Sequence, residues 1–227
     1  MSIAVETIAK KHKITALIGI LSEILLQLAG EYGTIGSVSS KPSSPKTKLR
    51  ENIPMKHRMK NRIFIRRISR AAVIGALYVI LTLISNALGL AYKDIQCRFS
   101  EALCILPIFC PEAVTGLTIG CLLANLMVSG LWQDIIFGTL ATLLGALGAL
   151  ALRRLRGRAR VIATLPTVLA NAIIIPFVLK WALDMERAWW IYAVMIAVGE
   201  LVSATFLGAL LLPVIDRIPI FKKDDKF

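Results

Sequence analysis

The stretch "AAVIGALYVILTLISNALGLAY", residues 71–92, contains no charged side chain. About 20 apolar residues in a helix rising about 1.5 Å each cross a hydrocarbon core of about 30 Å. The text then changes character. "YKDIQCRFSEALCILPIFCPE", residues 92–112, places Lys93, Asp94, Gln96, Arg98, Ser100 and Glu101 together, then runs into a short apolar segment broken by Pro107 and Pro111. An exposed loop does not ordinarily lead straight into a broken membrane segment, so this join needs a functional explanation.

Working outward, the apolar runs are Ala102 to Cys110, which is short, Ala113 to Leu131, and Ile135 to Leu152. Val161 to Leu179 holds Asn171 and Pro176, and Trp189 to Leu212 holds a single charge, Glu200. These runs are apolar on every side, whereas a membrane β-barrel needs alternating polarity along each strand. The pattern predicts an all-α membrane protein, a six-helix transmembrane bundle with a short second helix. Composition agrees. The 227 residues are 56% hydrophobic with mean hydropathy +0.71, against about 45–50% apolar in soluble domains.

Only 18% of residues are charged, yet the net charge is +13. The basic residues cluster outside the apolar runs. Lys56, Arg58, Lys60, Arg62, Arg66, Arg67 and Arg70 precede the first run. Arg153, Arg154, Arg156, Arg158 and Arg160 separate the fourth and fifth, and Arg217, Lys222, Lys223 and Lys226 follow the sixth. With six spans these clusters fall on one side, which predicts both termini in the cytoplasm. The charge then marks topology and contact with anionic lipid. It does not mark nucleic acid, since no aromatic residues interleave with the arginines to stack bases.

The expected organisation has four parts. Residues 1–54 form a poorly structured extension with one apolar amphipathic helix, or are not translated at all, initiation falling at Met55 or Met59. Residues 55–70 are a basic cytoplasmic lead-in, 71–214 the membrane domain, and 215–227 a charged cytoplasmic tail. In the extension, "GTIGSVSSKPSSPKTKLREN" reads as a flexible linker.

Few residues offer chemistry. Cys97, Cys104, Cys110 and Cys121 form no CxxC pair and read as small buried residues. The histidines, His12 and His57, lie outside the apolar runs, so no histidine metal site is expected. There is no GxxxxGK[ST], HExxH or GxSxG, so neither ATP binding by this chain nor an intramembrane enzyme is expected. Glu200 stands at membrane depth, where a carboxylate is costly unless it is paired or faces a cavity. It contacts a ligand or ion, or bonds another helix. Asn171 is interhelical glue or a ligand contact. Asn125, near Trp132 at the outer end of its helix, is a stronger ligand candidate.

In an extended segment Gln96, Arg98 and Ser100 share a face. A competing reading makes Ser100 or Arg98 a helix cap, with Glu101 favoured at the helix N-terminus by the dipole. Glu112 after Pro111 reads as a helix N-terminal residue, and Asp134 as the N-cap of its helix. Ala72 and Ala76, with Ala71 and Gly75, and Gly116, Gly120 and Ala124 repeat at the four-residue spacing that permits close helix approach.

"RFSEAL" (98–103), "LPIFCPEAVTGLTIGCLLAN" (106–125), "DIIFGTLATLL" (134–144) and "VGELVS" (198–203) resemble the queuosine-precursor transporter family, substrate-binding S components of energy-coupling factor (ECF) transporters. The resemblance covers about Ile65 to Val214, and residues 1–54 depart from it. It implies a six-helix S component, both termini inside, joined to a transmembrane coupling subunit and two cytosolic ATPases that use the ATP. It also implies a coupling contact at Ala72 and Ala76, although Ile80 breaks the third alanine position. The implied cargo is a 7-deazaguanine base. Its adjacent N–H donors suit Glu101 or Glu200, its carbonyl suits Arg98, Gln96 or Asn125, and its ring suits stacking on Trp132 or Trp189. Alternative readings are an S component for another vitamin-like solute, and a membrane scaffold without small cargo.

Overall fold

The computed structural model describes residues 55–90, 97–181, 184, 186 and 188–216. The chain divides into two compact units, Met1–Ser69 and Arg70–Phe227. In the first, the described part is the opening of helix α1, Met55–Ala87, which continues unbroken into the second. The basic lead-in and the first apolar run therefore share one helix. All of the following concerns the second unit, where every described element is helical.

After α1 comes a 3-10 helix, Phe99–Ile108, then α2 (Glu112–Val128) and α3 (Trp132–Ala151). A second 3-10 helix, Gly157–Thr164, leads into α4 (Leu165–Trp181). The last apolar run is a composite of α5 (Trp189–Glu200), a π-helical turn (Leu201–Phe206) and α6 (Leu207–Ile215). Four stretches are long and apolar enough to cross a membrane: Ile63–Ala87, Trp132–Ala151, Gly157–Trp181 and Trp189–Ile215. Phe99–Ile108 and Glu112–Val128 are apolar but shorter. The chain is thus a multi-pass membrane protein by the length and composition of its helices.

Short residues set the packing of α1 on α2. A Cβ on Gly116 would lie 2.5 Å from the Ala71 carbonyl oxygen, and one on Gly120 would lie 2.8 Å from that of Gly75. The small face of α1 that holds Ala71 and Gly75 is therefore spent on an internal contact. The Gly116/Gly120 repeat serves the same purpose. Between α2 and α3 the chain reverses at Gly130, whose φ of +63° is readily adopted only without a Cβ.

Phe99–Ile108 occupies the core. Residues from Ser100 to Ile108 are all buried, and the segment packs on α2, α3, α6, the π turn and the second 3-10 helix. At about 2.0 Å per residue, a 3-10 helix of this length reaches roughly 20 Å, where an α-helix would reach about 15 Å. The short second segment of the sequence gains depth by this tighter winding. At the far end of α2, Arg70 donates to Glu112 at 3.0 Å. Near α6, Arg160 makes a two-pronged pair with Asp216, both bonds at 2.8 Å, and lies over the Phe109 ring.

Candidate functional site

A polar stripe runs along the otherwise apolar α1. Tyr78, Thr82 and Ser85 recur at helical spacing and all three are fully buried. Each grips the start of the Phe99–Ile108 helix. Tyr78 donates to Glu101 Oε1 at 2.5 Å, Thr82 Oγ1 lies 2.8 Å from Ser100 Oγ, and the Phe99 amide donates to Ser85 Oγ at 2.8 Å. The other oxygen of Glu101 accepts from the Cys104 thiol at 3.0 Å. Both oxygens of this buried carboxylate are therefore held by the protein itself.

Arg98 occupies the residue before the 3-10 helix, in extended conformation, with no side-chain cap bond. Its guanidinium is buried, donates to Asn125 Oδ1 at 3.3 Å and lies 3.8 Å from Asp134 Oδ1. Asn125 is fixed in turn. Its amide donates to the Asp134 carbonyl at 3.2 Å and lies 3.5 Å from the Cys121 sulfur, which accepts from Thr142 at 3.2 Å. A Cβ on Gly138 would sit 2.8 Å from that amide nitrogen, so the glycine makes room for Asn125. Glu200 is also buried, immediately before the π turn that packs on Phe99–Ile108. Its Oε2 has no hydrogen-bond partner.

The structure thus brings together Arg98, Glu101, Asn125 and Glu200 from the sequence-derived set. It does not gather all of them. Trp132 and Trp189 are 62% and 56% exposed at the starts of α3 and α5, outside the buried cluster. Asn171 is buried in α4 and its amide donates to the Thr167 carbonyl one turn earlier, a bond within its own helix. Gln96 lies outside the described residues. Ala76 is buried within the chain while Ala72 is half-buried.

Three readings need correction. Ser100 is not a capping group, because its hydroxyl is turned to Thr82 and no side chain caps this helix. Asp134 is not the N-cap of α3. That position is Leu131, and Asp134 faces Arg98 from the first turn. Cys104 and Cys121 are more than small apolar filler, since both take part in the polar network. Tyr78 and Asp134 are the members the sequence reading missed. The spacing of Tyr78, Thr82 and Ser85 in an apolar helix is the signal that would have found the first.

The cluster joins guanidinium, amide and carboxylate groups at one end of α2. Glu112 lies at the other, about 20 Å away at 1.5 Å per residue. The QueT transporter family profile matches residues 68–217. The chain belongs to this family. Queuosine precursor transporter QueT of Lactococcus lactis subsp. cremoris (strain MG1363) is 40% identical over 72 residues. That stretch is 32% of this chain and 42% of the Lactococcus protein, so the chain matches less than half of that relative. No solved structure matches the chain. The QueT family profile begins two residues before Arg70 and ends one residue after Asp216. It therefore contains every member of the cluster.

Proposed function

We propose that this chain is the substrate-binding membrane subunit for uptake of a 7-deazaguanine precursor of queuosine, working in an ATP-driven ECF transporter. The observation that carries the reading is the buried network around Arg98, Glu101, Asn125, Asp134 and Glu200, inside a QueT transporter family chain. A deazaguanine offers a carbonyl acceptor to Arg98, which Asn125 holds in place, and N–H donors to a carboxylate. Membership of a transporter family favours carriage of such a base over its chemical conversion.

In this reading the protein crosses the membrane six times, with Phe99–Ile108 and α2 as the two short crossings. The arginine clusters lie inside, and the site lies toward the outside where cargo arrives. The chain binds no ATP. A coupling subunit docks on α1 near Ala72, the half-buried member of the Ala72/Ala76 pair, and two cytosolic ATPases supply the energy. Lipid covers the remaining apolar faces.

The test is a calorimetric titration of the purified protein with a 7-deazaguanine base. Losing one partner of a buried charge-assisted hydrogen bond costs about 1.5–3 kcal/mol, or roughly 10- to 150-fold in affinity. Arg98→Ala is expected to weaken binding by at least about tenfold. Glu112→Gln, at the opposite end of α2, is expected to leave affinity unchanged. A reversed pattern would move the site to the other end of the bundle.

A further inference from the structure

The chain has four tryptophans, Trp132, Trp181, Trp189 and Trp190. All of them stand at one end of the bundle. Trp132 opens α3 and Trp181 closes α4. These two helices run antiparallel. A Cβ on Gly145, late in α3, would lie 2.6 Å from Thr167 Oγ1, early in α4, and one on Gly148 would meet Pro166. Residues 182–188 join α4 to α5, which starts at Trp189 and packs back on α4. The arginine group 153–160 follows the other end of α3.

None of the four belongs to the core. They are between 56% and 69% exposed. Phe177, one turn before Trp181, is exposed as well, and the centroids of the two rings are 5.9 Å apart. An indole in water leaves a large apolar ring unburied, and an indole in hydrocarbon leaves its N–H donor without an acceptor. Its best position has the ring in hydrocarbon and the N–H among headgroups or water. Tryptophan at one end and arginine at the other is the pattern of two different membrane boundaries. A set built to stack a cargo ring would instead converge on the buried cluster, which these residues do not enter.

We propose that Trp132, Trp181, Trp189 and Trp190 seat in the headgroup–acyl boundary of the membrane and fix the depth of the polar cluster against it. Asp134 lies two residues beyond Trp132, about 3 Å along the helix axis. The group of Arg98, Asn125 and Asp134 is therefore held at the boundary, where its guanidinium is reached from water without crossing hydrocarbon. Glu200 closes α5 eleven residues after Trp189, about 16 Å deeper. The network thus runs from the boundary toward the middle of the membrane. This assignment concerns lipid, and it does not depend on which cargo the chain carries.

The experiment measures the intrinsic fluorescence of the purified full chain in phosphatidylcholine vesicles. Every tryptophan is at one end, so the signal reports that end alone and no variant is needed. Bromine quenches tryptophan on contact, and lipids can carry it near the headgroup, midway along the acyl chain or at the chain end. Quenching is expected to be strongest for the bromine nearest the headgroup and to fall step by step with depth. Both leaflets carry bromine, so the direction of insertion does not affect the result. Strongest quenching by the chain-end bromine would overturn the proposal, since the indoles would then lie in the bilayer centre. Quenching by iodide in the water with none by any brominated lipid would place them in solution and overturn it too. Quenching by neither would show that protein, a partner or a second copy, covers them, and the proposal would again fail.

Discussion

Tyr78 is an uncharged residue in an apolar helix, yet its hydroxyl is bound to a carboxylate 23 positions away. Removing the donor leaves a buried oxygen of Glu101 unsatisfied, at about 1–3 kcal/mol. Tyr78→Phe is therefore expected to lower the thermal unfolding midpoint in detergent, and an unchanged midpoint would show that the bond is not held. At this scale the sequence was legible where a polar residue stood out against an apolar background. Glu200 was found that way, and Arg98 and Glu101 were conspicuous before a short helix. Asp134 was read as a cap because its partner Arg98 is distant in sequence and pairs with it only through the fold. Tyr78 was passed over because a tyrosine in a greasy run resembles core until its hydroxyl's partner is known.

The elements were harder to read than the residues. Apolar runs gave the helical class and nearly every segment, but segments that are apolar all round have no periodicity to fix their winding. The 3-10 geometry of Phe99–Ile108 and the π turn after Glu200 were therefore invisible, although one carries Glu101 and the other follows Glu200. The Gly116/Gly120 repeat was legible as a close-packing face, and its partner proved to be the small face of α1. That contact also positions Tyr78, because a Cβ on Gly120 would stand 2.9 Å from the Tyr78 Cβ. Gly120→Val is expected to cost about 1–3 kcal/mol through overpacking and to push Tyr78 off Glu101. Stability and deazaguanine affinity should fall together in this variant. Leu126→Ala, on the 51% exposed side of the same helix, should change neither. Stability falling while affinity holds would uncouple α1 packing from the site.

For the whole molecule, the placement of the Lys and Arg clusters between the apolar runs carries the proposed orientation. A reporter fused after Arg156 is expected to read as cytoplasmic and one after Trp132 as external, and the opposite pair would invert the protein and turn its site inward. The account as a whole claims that this chain captures a queuosine precursor for import. Uptake of a radiolabelled 7-deazaguanine base is its most direct measurement, made in cells that carry an energy-coupling module, with and without the chain. The account predicts accumulation that requires the chain, stops when ATP is depleted and is lost with Arg98→Ala. Equal accumulation without the chain, or none with it despite a functional module, would contradict the claim.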